Sequence, residues 1–166
     1  QDYNVLLSTA RSQEDVDSAY RTILKGKRVD GLIVGAEQFG EKHLAELLLK
    51  DFPFVMVGKS MTFSHYYVDV DNVGGARRMT EHLINLGHQK IAMLAGPEIY
   101  PSVRSRVRGF QEAMSKAQLD PERVIYTTYQ KEDAEKTTLQ ILRKDPPTAL
   151  FVAAGDLFLG ALEAAR

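Results

Sequence analysis

Short apolar runs alternate with amphipathic stretches along the whole chain. Val5-Leu6-Leu7 has the look of a brief buried strand. Ser12 then heads a helical stretch, with Asp15 placed to complete a capping box and to meet the positive end of the helix dipole. Val16, Tyr20, Ile23 and Leu24 fall on one face of that helix, and Gly26 predicts its stop. VDGLIVG at 29–35 predicts a buried strand bounded by glycines. A helix over roughly Glu41 to Lys50 leads to a strand over Phe54 to Val57, and Tyr66 to Val70 predicts another strand. The next helix runs from about Asn72, a good N-cap residue, to Leu86, with Ala76, Met79, Leu83 and Leu86 as its buried stripe.

The second half repeats this grammar. Strands are predicted over Ile91 to Ala95, Val124 to Tyr126 and Ala149 to Ala153, and helices over Ser102 to Gln118, Glu132 to Arg143 and from Asp156 onward. Alternation of this kind predicts an α/β fold with parallel sheets and right-handed crossovers. No low-complexity linker separates the halves, and a fresh strand–helix series begins after Val70-Asp71-Asn72, so the lobe boundary is expected there, dividing 1–70 from 71–166. At the junction EHLINLGHQKIAMLAG (81–96), Gly87 suits the left-handed end of a helix, and His88 is placed to donate to the helix's last carbonyls. His82 and His88 are six apart, one inside a helix and one past its end. They share no face, so a metal site there fails on geometry.

Composition narrows the possibilities. The 166 residues carry 21 basic and 22 acidic side chains for a net charge of −1, so no extensive basic surface for nucleic acid is implied. The chain has no cysteine, which excludes disulfides, thiolate metal sites and a cysteine nucleophile. No apolar run approaches the ~20 residues needed to span a bilayer. Because the chain opens on Gln1 and ends inside the helical pattern GALEAAR, it is expected to be a piece of a longer one.

Among residues able to carry chemistry, Arg106 stands out. On a helix starting near Ser102, the core stripe is Val103, Val107, Phe110, Met114 and Ala117, while Arg104 and Arg108 lie on the opposite, solvated side. Arg106 falls within the apolar arc, where a charge needs acceptors. Two readings are open: an ion pair with an internal carboxylate, or a fork for ligand hydroxyls or carboxylates at the strand carboxyl ends. VDVDNV (68–73) resembles the nucleophile motif of haloacid-dehalogenase-type phosphatases, since Asp69 and Asp71 would share one face of a strand. The later segment such an enzyme needs, GDLFLG (155–160), has Gly160 where its final aspartate should stand. The motif is also mid-chain rather than on a first strand. Glycine-rich phosphate loops, a nucleophile elbow and H-E-x-x-H are absent. Phe63, Tyr66 and Tyr67 read as core or lobe-edge aromatics, and His43 and His65 as surface or packing residues.

A more specific pattern emerges from VDVDNVGGARRMTEHLINLGHQKIAMLAG joined to SRVRGFQEAM. The elements Asp71-Asn72, Gly74, His82-Leu83, Leu86-Gly87-His88, Ile91-Ala92, Gly96 and Arg106-x-x-Gly109-Phe110 together resemble the effector-binding core of LacI/GalR-type transcriptional repressors. VDGLIV (29–34) and TALFVAAGDLFLGAL (148–162) extend the similarity over essentially the whole chain. The resemblance implies a two-lobed periplasmic-binding-protein-like fold, with a sugar, sugar derivative or nucleobase held between the lobes. It also implies a cytoplasmic, non-enzymatic homodimer without a cofactor, which reaches operator DNA only through a headpiece absent from this chain. Arg106 matches the effector-contacting arginine of that family, Tyr100 and Ser102 the pocket loop before it, and Tyr129 an aromatic placed against the ligand. Gly58 stands where sugar-responsive members often carry an acidic residue, and Asp156 follows Gly155 where an asparagine is usual. Both departures bear on a simple hexose preference. The chain is expected to lack the first strand and helix of the N-terminal lobe, which would expose sheet edges and apolar surface, and to contain most of the C-terminal lobe. A periplasmic sugar receptor of the same fold is the alternative, distinguished by a secretory signal rather than a helix-turn-helix upstream.

Overall fold

The computed structural model describes residues 4–9, 12–35, 40–60, 62 and 64–166. The chain divides into two compact units, Gln1–Val70 and Asp71–Arg166. Phe63 lies outside the described residues.

The first unit contains α1 (Gln13–Lys25), β1 (Leu32–Gly35), α2 (Glu41–Leu49), β2 (Phe54–Val57) and β3 (Tyr67–Val68), with the strands in a parallel sheet of order β1-β2-β3. The expected capping box forms: Ser12 Oγ accepts from the Asp15 N–H at 3.2 Å, and Asp15 Oδ2 accepts from the Ser12 N–H at 3.1 Å. Gly26 caps the helix in a right-handed conformation, and the left-handed turn falls instead on Lys27, φ 46°. Tyr20, Val34, Leu44, Leu47, Phe54 and Met56 form a core between the two helices and one face of the sheet. The alternate positions Ile33, Val55 and Val57 are exposed. The run at 29–35 is therefore half-buried rather than covered on both sides. Across α1 and α2, the Tyr20 hydroxyl donates to Glu46 at 2.8 Å and His43 Nε2 lies 2.6 Å from Asp17 Oδ1. Burial and that bond hold the Tyr20 hydroxyl above the ordinary tyrosine range, and the same bond holds the Glu46 carboxyl below its own. His65 stacks on Phe54 with ring centroids 4.0 Å apart, and its Nε2 lies 3.0 Å from the Phe54 carbonyl oxygen.

Two further sequence-based expectations fail in this unit. Val5-Leu6-Leu7 forms no strand, and all three residues are exposed. Among the described residues, no strand pairs with it, and three apolar residues do not make an ordered strand without ladder partners. The strand expected over Tyr66 to Val70 is reduced to Tyr67–Val68, an exposed edge.

The second unit contains α3 (Asn72–Asn85), β4 (Ile91–Ala95), α4 (Pro101–Lys116), β5 (Val124–Tyr126), α5 (Lys131–Lys144), β6 (Ala149–Val152) and α6 (Gly155–Ala164). Its parallel sheet has the order β5-β4-β6. Every residue of β4 is buried. Ile91, Met93 and Ala95 face Val103, Val107, Phe110 and Met114, with Leu83 and Ile84 packed alongside, whereas Leu94 faces Ala134, Leu157 and Ala161. Thus α3 and α4 cover one face and α5 and α6 the other. Each helix pair approaches closely at a glycine. A Cβ on Gly109 would lie 2.1 Å from the Val73 carbonyl oxygen, and one on Gly160 would lie 2.3 Å from that of Lys131.

The close α3–α4 contact also corrects the stripe read for α3. The buried residues are Asn72, Gly74, Ala76 and Thr80, whereas Met79 and Leu86 are exposed. Small side chains are selected because the α4 backbone lies so near, and Thr80 satisfies its hydroxyl on the Ala76 carbonyl at 2.8 Å. The helix N-cap is Asp71, not Asn72: Asp71 Oδ1 accepts from the Gly74 N–H at 2.8 Å. Gly87 ends the helix at φ 91°, with the Gly87 and His88 N–H groups donating to Ile84 and Leu83 carbonyls. The His88 ring turns away from those carbonyls, and its Nδ1 lies 3.1 Å from Thr148 Oγ1. Among the described residues, no helix is long and apolar enough to cross a membrane.

Candidate functional site

The carboxyl ends of β4, β5 and β6, the end at which parallel α/β sheets bind ligands, lead into the segments that hold the candidate residues of the second unit. After β4 the chain runs through Gly96 and Tyr100 into α4, and Tyr100 is the residue on which that helix begins. Pro101 occupies the first turn, where its fixed φ suits a helix start and its missing N–H is no loss. Ser102 follows it in that turn, half-buried.

Arg106 lies one turn further along and is half-buried. Its Nε donates to Asn72 Oδ1 at 2.8 Å, and its Nη1 donates to the Ala153 carbonyl oxygen at 2.7 Å. Neither partner is charged, so the internal ion pair weighed from the sequence is replaced by two neutral acceptors. These contacts use two of the five N–H donors of a guanidinium and leave its charge uncompensated by them. The neighbouring arginines behave differently. Arg104 folds back to donate to the Glu98 and Ile99 carbonyls at 2.8 and 3.3 Å, and Arg108 pairs with Glu112 at 3.1 Å.

Tyr129, in the segment between β5 and α5, packs its ring 5.6 Å from that of Tyr100, centroid to centroid, at 33°. The Tyr129 ring also lies over Gly96, where a Cβ would fall 2.6 Å from ring Cζ. Gly96 therefore clears the space for an aromatic flank. After β6, Asp156 is exposed in the first turn of α6, where the helix dipole favours a carboxylate. The structure thus puts Tyr100, Ser102, Arg106, Tyr129 and Asp156 in segments that follow the strands of one sheet. Gly58 is in the first unit, after β2, at φ 89°, with its N–H donating to the Val68 carbonyl at 2.8 Å. That backbone favours glycine and would strain the acidic residue otherwise expected there.

Asn72, Gly96 and the Ala153 carbonyl are additions that candidate selection from the sequence missed. Asn72 had a legible signal, since Asp71 and Asn72 are both cap-forming residues and only one can cap. The phosphatase pattern loses its framework. β3 ends at Val68, Asp69 accepts from the Val70 N–H at 2.8 Å, and Asp71 serves as the α3 cap and lies 3.5 Å from Arg78. Among the described residues, no group of three or more His, Asp or Glu side chains is placed to hold a metal ion.

The fold class is α/β with parallel sheets flanked by helices. A family model described as a periplasmic binding protein-like domain matches residues 80–166, just over half of the chain, and the chain belongs to that family. It is 28% identical to the HTH-type transcriptional regulator DegA of Bacillus subtilis, over 99% of this chain and 50% of that protein. Among solved structures it resembles a complex of the transcriptional regulator CelR with cellobiose, at 28% identity and a TM-score of 0.83, covering 94% of this chain and 49% of that one. A LacI family transcriptional regulator from Enterococcus faecium with bound ribose matches at 28% identity and a TM-score of 0.73, over 88% of this chain and 56% of that one. The chain spans about half the length of the curated relatives it matches.

Proposed function

We propose that this chain is the effector-sensing and dimerisation core of a LacI/GalR-like transcriptional regulator. The first unit is then part of the N-terminal lobe and the second most of the C-terminal lobe. A small metabolite, a sugar, sugar derivative or nucleobase, is its effector and shifts the balance between its conformations. The homodimer transmits that shift to operator DNA through a headpiece outside this chain. The protein acts in the cytoplasm and catalyses no reaction.

The observation that carries this reading is Arg106. It is held in place by Asn72 and Ala153, while among the described residues its three other N–H donors meet no acceptor and can serve ligand oxygens. Tyr100 and Tyr129 supply an aromatic flank of the kind sugar rings stack on, and Ser102, Asp156 and Gly58 complete the proposed set. The cellobiose and ribose bound to related regulators support a saccharide as the first class to try. The test is a thermal-shift screen of the full-length protein against sugars, sugar phosphates and nucleobases. An effector present at a hundred times its Kd stabilises the folded state by about 2.7 kcal/mol through mass action. Arg106→Ala is expected to abolish the shift given by the active compound. An unchanged shift in that variant removes Arg106 from the pocket.

A further inference from the structure

Asn72 is nearly buried, at 7% exposure, in the first position of α3. Asparagine in a helix costs stability unless its side chain has a local task, and the usual task there is the N-cap. Asp71 already performs it. The Asn72 side chain instead reaches Arg106, thirty-four residues away, with Oδ1 accepting from Nε at 2.8 Å. On its other side the guanidinium donates to the Ala153 carbonyl, and the Ala153 N–H in turn donates to Leu94 at 2.9 Å. Arg106 is therefore anchored at one end to the β4–β6 ladder, a rigid part of the second unit. At the other end it is anchored to the helical turn that directly follows the passage of the chain from Val70 to Asp71.

We propose that Asn72 is a positioning residue for effector recognition: it orients Arg106 without neutralising it, and links the position of Arg106 to the first turn of α3, where the chain enters the second unit. The inference rests on the reading of Arg106 as the effector-contacting residue. Its chemistry lies in the choice of amide. A neutral carbonyl oxygen fixes one edge of the guanidinium and leaves the full charge for the ligand. An aspartate at the same position would hold the same geometry but compete with the ligand as a charged partner. An alanine would leave Nε–H without this acceptor and release the orientation. A residue serving only the packing of α3 on α4 would tolerate the isosteric aspartate without any change in ligand affinity.

The test uses the full-length protein with Asn72→Asp, Asn72→Ala and Arg106→Ala, and cellobiose and D-ribose as probes. The Asn72→Asp variant is expected to weaken the binding of whichever sugar the unmodified protein takes by about tenfold or more while leaving the ligand-free melting temperature nearly unchanged. Wild-type affinity in Asn72→Asp overturns the proposal, even where Arg106→Ala abolishes binding and the effector reading stands. Independently of any ligand, the Arg106 Nε–H resonance is expected to exchange slowly with solvent in the unmodified protein and at least about tenfold faster in Asn72→Ala. The amides of residues 72–75 are expected to exchange faster in Arg106→Ala, with those of β4 unaffected. If the unmodified protein binds neither sugar, these exchange rates still decide the positioning role: unchanged rates overturn it.

Discussion

β2 and β4 are both the central strand of a three-stranded parallel sheet, yet they are buried in different ways. All five residues of β4 are inaccessible, with Ile91, Met93 and Ala95 facing α3 and α4 while Leu94 faces α5 and α6. Along β2, Phe54 and Met56 are buried while Val55 and Val57 are exposed, because α1 and α2 lie on the same face. A strand's sequence makes both of its faces apolar, but only flanking helices bury them. The contrast separates a unit whose sheet is covered on both sides from one whose sheet is covered on one.

The largest expected effect tests the two-sided core. Phe110→Ala removes a fully buried ring from the face of β4 and is expected to cost about 3–5 kcal/mol, read as a lowered denaturant midpoint with an unchanged slope. Gly109→Ala and Gly160→Ala come next. Each drives a Cβ against the backbone of the neighbouring helix, at an expected cost of about 1–3 kcal/mol in thermal or denaturant unfolding. A neutral result at either would mean that the helix pair separates easily and that the covering layer is looser than the closest approach implies. Asp71→Ala, which removes the α3 cap, is expected to cost about 1 kcal/mol, with faster amide exchange at Gly74 as a local readout.

A pH measurement sharpens the comparison at the opposite end of the second sheet. The Asp145 carboxyl is bonded by Lys90 and by Arg123, the latter at 2.5 Å, and these bonds hold it below the usual aspartate range. A folded pKa lowered in this way stabilises fully above the unfolded value, near pH 4, and is lost as pH falls through the lower folded value. Asp145→Asn is therefore expected to lower stability in the neutral region, where this contribution is fully present, to change little at pH below the folded value, and so to flatten the acid limb of the stability profile. The smallest effect belongs to the uncovered face of the first sheet. Ile33 is 81% exposed, so Ile33→Thr is expected to change stability by less than about 0.5 kcal/mol. A loss of several kcal/mol in the full-length protein would show that this face is covered there.

Much of this architecture is legible in the chain, and the failures have a common cause. The Ser12–Asp15 capping box and the Gly87 stop involve residues three to five apart, so local pattern suffices. Arg106 was legible as an anomaly because a cation within an apolar helical arc needs partners. The identity of those partners was not, because one is a main-chain carbonyl, which leaves no trace in side-chain pattern. The reading of Met79 and Leu86 as core shows the same limit, since hydrophobic period does not reveal which small residues a neighbouring backbone will demand. Val5-Leu6-Leu7 has the composition of a strand but gains no ladder from it.

The sequence by itself determined the order of helices and strands, the parallel α/β class and most helix ends, because these follow from periodicity and from contacts within a turn or two. Tertiary structure alone decided that Asp71 caps while Asn72 binds Arg106, that β4 is buried on both faces and β2 on one, and that Tyr129 rests on Gly96. Arg106 meets partners 34 and 47 residues away, and no local rule can choose between acceptors that only folding brings within reach.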